Sequence, residues 1–130
     1  MARKSSTQPT EVELDILNVL WEKRAATVRE VHDELQLRHR STGYSTTLKM
    51  MQVMHQKGLL KRDDSVRPQV YRSTKSQAKT QTGLIDHLVK KAFDGAAGRL
   101  LVRAISSNQL SDDELSEIKS LIEKIEQEQS

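Results

Sequence analysis

Three short signals fix where helices can begin in this chain. A Thr or Ser followed three residues later by Glu, just ahead of an apolar run, lets the hydroxyl accept an orphan amide of the first turn while the carboxylate accepts from the cap's own amide. The pattern occurs at Thr10 with Glu13, at Thr27 with Glu30 and at Ser111 with Glu114. Behind the first, Leu14, Ile16, Leu17, Leu20 and Trp21 cover more than half of a helix circumference, which predicts a central helix. Behind the second, Val28, Val31 and Leu35 recur at helical spacing and predict a short helix over residues 28–36. Behind the third, Asp112 and Asp113 suit the helix dipole, and Leu110 is placed to staple onto Leu115.

The intervening stretches complete the order of elements. The polar segment from Arg38 to Gly43 interrupts the pattern, and a third helix is expected from Tyr44 or Ser45 to about Gln56, stopped at Lys57-Gly58. Leu59 to Arg62 and Val70 to Arg72 then read as two short strands around the polar loop 63–68, where Pro68 cannot donate a ladder bond. Three helices followed by a hairpin is the order of a winged helix. From Ser76 the chain is helical again: Leu84, Ile85, Leu88, Val89, Ala92 and Phe93 keep the 3.6-residue period. Gly95 and Gly98 punctuate, and Leu100, Leu101, Val102 and Ile105 resume. Along the last helix Leu115, Ile118, Ile122 and Ile125 form a heptad-like stripe. The expected fold is mainly α with a small β-hairpin wing. A flexible basic tail over 1–8 precedes a winged helix-turn-helix DNA-binding domain over 9–75 and a helical dimerisation domain over 76–130.

Composition narrows the possible functions. Aromatic residues are 3% of the chain, so the core must come from Leu, Ile, Val, Met and Ala, with Trp21 and Phe93 as bulky fillers. With no cysteine there is no disulfide, thiol nucleophile or thiolate metal site. No apolar run approaches the ~18 residues of a membrane span, and Met-Ala-Arg-Lys-Ser-Ser lacks an apolar signal region, which points to the cytoplasm. Residues 1–75 carry 14 Lys and Arg against 9 Asp and Glu, whereas residues 76–130 carry 7 against 9. A basic first half suits a polyanionic partner, although ordinary domains also reach this balance. His32, His39, His55 and His87 lack metal-ligand spacing, and no Gly-rich phosphate loop, Ser/His/Asp arrangement or HExxH helix occurs. No enzyme, metal site or cofactor is implied.

If Thr47, Met50, Met51 and Met54 point inward, the third helix turns Ser45, Lys49, Gln52 and Gln56 outward, with Thr46, Leu48 and Val53 on the flanks. Lys49 can reach guanine or a phosphate, Gln52 can pair with adenine, Ser45 and Thr46 can bond a phosphate, and Leu48 can touch a thymine methyl. The same face also fits a merely solvated amphipathic helix. Arg67 at the hairpin tip suits a minor groove or a phosphate, with Lys61, Arg62 and Arg72 nearby; an ordinary charged hairpin has the same composition. The dimerisation candidates are Leu84, Leu88, Leu101, Ile105, Leu115, Ile118, Ile122 and Ile125, whose stripe a short helix cannot bury on itself.

Thr10-Glu-Val-Glu-Leu-Asp-Ile-Leu-Asn-Val-Leu-Trp21, the Thr27-Val-Arg-Glu-Val31 opening and Tyr44-Ser-Thr-Thr ending in Lys57-Gly58-Leu59 together resemble the penicillinase-repressor (BlaI/MecI) family. So do Phe93-Asp-Gly95, Leu100-Leu101-Val102 and Leu110-Ser-Asp-Asp-Glu-Leu115, over about residues 9 to 126. The resemblance implies a homodimeric transcriptional repressor on a palindromic double-stranded operator, held together by its C-terminal helices. It also implies an inducing membrane sensor-protease that leads to cutting of the dimerisation segment. Arg103-Ala104 stands where those repressors are cut at Asn-Phe, so that cleavage does not carry over. Val53 replaces an Arg common in the recognition helix, which bears on the operator sequence. The C-terminal cysteines of copper-responsive relatives are absent, which argues against copper sensing. The rival from another class is a winged-helix protein-interaction module without sequence-specific DNA binding.

Overall fold

The computed structural model describes residues 8–40 and 42–130. The tail expected over 1–8 lies, Gln8 apart, outside the described residues, as does position 41. The elements run α1 (Glu11–Lys23), β1 (Ala26–Thr27), α2 (Val28–Leu37), α3 (Tyr44–Gln56), β2 (Leu60–Asp63), β3 (Val70–Ser73), α4 (Gln77–Ala92), α5 (Ala97–Ser107) and α6 (Asp112–Gln129). The architecture is mainly α with a small antiparallel sheet, a winged helix followed by C-terminal helices.

All three capping boxes are formed. The Glu13, Glu30 and Glu114 amides donate to the hydroxyls of Thr10, Thr27 and Ser111 at 3.1–3.2 Å, and the three cap amides donate back to the carboxylates at 2.8–3.0 Å. These bonds hold the Glu30 and Glu114 carboxyls below their ordinary range. The end of α3 is equally determined. Gly58 takes φ 86°, its amide donates to the His55 carbonyl, and the Leu59 amide reaches back to that of Met54. This is the paired closure that a left-handed glycine after a helix permits.

The chain divides into two compact units, Met1–Ile85 and Asp86–Ser130, at a point inside α4 and beyond Lys75, where the composition changes. In the first unit Ile16, Leu17, Val19 and Leu20 of α1 meet Val31 and Leu35 of α2, Met51 and Met54 of α3, and Leu60 and Tyr71 of the sheet. The sheet has one strand more than the hairpin expected from sequence. Ala26 and Thr27 pair with Tyr71 and Val70, giving the order β1-β3-β2 and tying the wing to the α1–α2 connection.

In the second unit no residue is buried within the single chain. Leu101, Val102 and Ile105 on α5 and Leu115, Ile122 and Ile125 on α6 stay exposed, joined by Leu121 at 57% exposure. Gly98 lies inside α5 instead of breaking a helix; Asp94 and Gly95, both with positive φ, make the interruption. Among the described residues no helix is long and apolar enough to cross a membrane.

Candidate nucleic-acid interface

The position of α3 follows from its inner face. Thr47, Met51 and Met54 are fully buried, and the Thr47 hydroxyl returns its proton to the Gly43 carbonyl at 3.3 Å, so even its polar atom is satisfied. Met50 and Leu48 are half-buried against the same core. Burial of these positions fixes the helix rotation and leaves Ser45, Thr46, Lys49, Gln52, Val53 and Gln56 on the outer face. The side chains of Ser45, Thr46, Lys49 and Gln52 make no hydrogen bond or ion pair among the described residues. Leu48 is thus drawn toward the core, while the other four stand together at the surface.

The start of α3 differs from the other capped helices of its unit. Its N-cap is Gly43, which supplies no side-chain acceptor, and its first turn carries no acid. In α1 and α2 the cap hydroxyl instead takes the amide of the third helical residue, and that residue's carboxylate takes the cap amide. On this outer face α3 therefore combines hydroxyls and open amide dipoles at one end with an ammonium and a carboxamide further along.

The wing supplies a second group of cations. Arg67, at the exposed tip, folds its guanidinium over the loop, with Nη1 donating to the carbonyls of Asp64 at 2.7 Å and Val66 at 3.2 Å. Arg62 is taken up by an ion pair with Asp64. Lys61 and Arg72 face each other directly across β2 and β3 and are both exposed. Like charges at opposed positions destabilise a sheet pair, and the charge of Asp63, which interacts with Arg72, offsets part of this.

Two features were not signalled by local sequence. Glu13, nearly fully buried, accepts from Lys57 Nζ at 2.7 Å, joining the start of α1 to the end of α3. Burial pushes its carboxyl up, but the Lys57 hydrogen bond, the Thr10 amide and the Lys57 charge outweigh this and hold it below its ordinary value. The second is the packing of Arg29 of α2 over the ring of Tyr44, at 4.1 Å from the centroid, with His32 set edge-on to that ring at 5.6 Å. These residues lie far apart in the chain, so only the packing of α2 on α3 brings them together. Among the described residues no three His, Asp or Glu side chains converge as metal ligands.

A family model described as penicillinase repressor matches residues 9–124. The chain belongs to the penicillinase repressor family. Among its curated relatives is the methicillin resistance regulatory protein MecI of Mammaliicoccus sciuri, 20% identical over 115 residues, which cover 88% of this chain and 93% of that protein. The MecI protein of Staphylococcus aureus strain N315 is 19% identical over the same shares. The match runs through both units, so the family assignment takes in the C-terminal helices as well as the winged helix. A penicillinase repressor of this kind is a transcriptional regulator.

Proposed function

We propose that this penicillinase-repressor family member represses transcription by binding a palindromic operator in double-stranded DNA as a homodimer. Residues 9–75 carry the DNA-binding face and residues 76–130 pair two copies. The observation that carries the reading is the outer face of α3: Ser45, Thr46, Lys49 and Gln52 share it without intramolecular partners, on a helix whose rotation is set by buried Thr47, Met51 and Met54. In the major groove Lys49 and Gln52 address base edges, while Ser45, Thr46 and the open first-turn amides address phosphate. Leu48, half-buried, touches a thymine methyl only with its outer edge. Arg67 exchanges its loop carbonyls for a phosphate or the adjacent minor groove, and Lys61 and Arg72 lie under the backbone.

The exposed stripes of α5 and α6, with Leu84 and Leu88 of α4, supply the contact between copies. A surface of Leu101, Ile105, Leu115, Ile118, Ile122 and Ile125 resembles the inner side of a helical interface more than a solvated face. Charge favours DNA over a purely protein-docking role, because a docking platform has no use for an opposed Lys61–Arg72 pair or an arginine at the wing tip. The protein acts in the cytoplasm, and a membrane sensor-protease is the inducing partner that the family suggests. Because Arg103-Ala104 stands in place of the family's cleaved Asn-Phe pair, that cleavage does not carry over to this chain.

The test is selection of duplexes from a random library, followed by gel-shift titration of the selected sequence and sedimentation of the free protein. Enrichment of an inverted repeat bound by a dimer, with affinity falling steeply in salt, is the expected result. A dimer that enriches no sequence and ignores salt would favour the docking module.

A further inference from the structure

The cations of the winged-helix unit divide into those with carboxylate partners and those without. Arg38 pairs with Glu22 and Glu34, Arg40 with Asp15, Lys57 with Glu13 and Arg62 with Asp64. Arg29 makes no ion pair or hydrogen bond through its side chain among the described residues. Its own helix offers Asp33 one turn on, the spacing at which oppositely charged side chains meet. The guanidinium instead lies over Tyr44, 4.1 Å from the ring centroid.

Tyr44 is the first residue of α3 and sits beside Ser45 and Thr46 on the exposed surface. Its ring is held from a second direction by His32, edge-on at 5.6 Å with an interplanar angle of 79°. The Nδ1 atom of His32 is buried without a hydrogen-bond partner among the described residues, so this histidine contributes packing at Tyr44 and no polar bond there. An arginine stacked on a fixed aromatic face keeps its charge and loses much of its rotational freedom before any ligand arrives. Its N–H edge stays free for an anion, and a planar fork of donors suits phosphate oxygens.

We infer that Arg29, stacked on Tyr44, is a seat for one backbone phosphate of duplex DNA at the leading end of the recognition helix. The inference rests on the proposed operator binding and adds a positioning contact from α2, outside the face of α3. The Tyr44 ring orients the guanidinium, and the phosphate bound there sets how deeply Ser45 and Lys49 enter the groove. Such a contact carries no sequence information, so it raises affinity for every duplex alike.

The experiment titrates full-length wild type, Arg29→Gln, Arg29→Lys and Tyr44→Leu against the selected operator and an unrelated duplex over a range of salt. For Arg29→Gln, affinity should fall about tenfold on both duplexes, and the slope of log K against log salt should drop by about 0.9 per protomer, about 1.8 for the bound dimer. Arg29→Lys should restore the slope and only part of the affinity, and Tyr44→Leu should lose affinity on both duplexes equally. Circular dichroism and the thermal midpoint of Arg29→Gln should match wild type, since the residue is exposed. An Arg29→Gln protein with unchanged slope, or one weakened on the operator alone, overturns the phosphate seat while leaving operator binding intact. A wild-type protein that binds neither duplex overturns operator binding, and the phosphate seat with it.

Discussion

Lys57, just past the end of α3, donates to Glu13 Oε2 at 2.7 Å, while Oε1 of the same carboxylate accepts from the Thr10 amide at 2.9 Å. One buried side chain thus caps α1 and fixes the far end of α3. Removing the ammonium leaves a buried carboxylate short of a partner. Lys57→Met is expected to destabilise the protein by about 2 kcal/mol, less than a fully buried pair because the lysine is partly exposed. Urea unfolding followed by circular dichroism measures it. If the bond carries the effect, adding Lys57→Met to Glu13→Gln costs much less than adding it to wild type.

The same carboxylate predicts acid behaviour. Glu13 titrates below its ordinary value of 4.5 in the folded chain. A carboxyl whose folded value lies below its unfolded one contributes stability that is fully present above the unfolded value and lost as pH falls through the folded one. Stability should therefore hold from neutrality to about pH 5 and decline below pH 4.5, with Glu30 and Glu114 acting in the same direction. Glu13→Gln should be less stable near neutrality and show a shallower decline in acid. Urea midpoints taken from pH 7 to pH 3 compare the two slopes.

On the outer face of α3, Lys49→Ala and Gln52→Ala should each weaken binding to the selected operator by about 1–3 kcal/mol per half-site and relax preference at one base position in each half-site. Both side chains are exposed and unpartnered, so unfolding midpoints should stay near wild type. Gel-shift titration against single-base operator variants reads both effects. Undiminished affinity would return this face to the solvent.

The outcome at Arg67 should differ in kind. Its guanidinium rests on the Asp64 and Val66 carbonyls and can be released at little cost, since both lie in an exposed loop. Arg67→Ala should lower affinity for most duplexes and reduce the salt slope by about one unit per protomer, about two for the bound dimer. Filter binding across a salt series checks this.

For the C-terminal helices, Ile118→Asp with Ile122→Asp should yield monomers that retain the winged-helix circular dichroism signal. Joining two half-site contacts raises avidity by about 10² to 10⁴, so the full operator should lose affinity by that order while a half-site loses little. Sedimentation together with binding to full and half operators provides the measurement. A double variant that remains dimeric places the contact elsewhere.

Much of the fold was legible because its signals are local. A capping box needs four consecutive residues, and Gly58 marks a helix end by a backbone geometry that other residues resist. The parts that were not legible depend on contacts between distant residues. Val19 is fully buried although the spacing of its helix emphasises Leu14 and Trp21, both only half-buried, because α1 is surrounded on several sides. Ala26 and Thr27 form a strand only because Tyr71 and Val70 arrive beside them. The α3 face was readable from the spacing of Thr47, Met51 and Met54, with Leu48 turned further inward than a flank position suggests. Arg29 and Tyr44 share no sequence signal, since nothing in either segment announces the other.

The uncovered faces of α5 and α6 also bear on how long a copy of this protein lasts. Helices without a fully buried residue in their own chain have little holding them closed, and such segments open locally far more often than a packed core. Proteases act on the open form, so their access follows how often it is populated. A copy whose stripe is covered is shielded, whereas a solitary copy displays the region around Leu101 and Leu121 to any protease that accepts an extended chain. Degradation would then act first on unmatched copies, and the surface proposed to join two copies would also trim the amount of regulator in a cell.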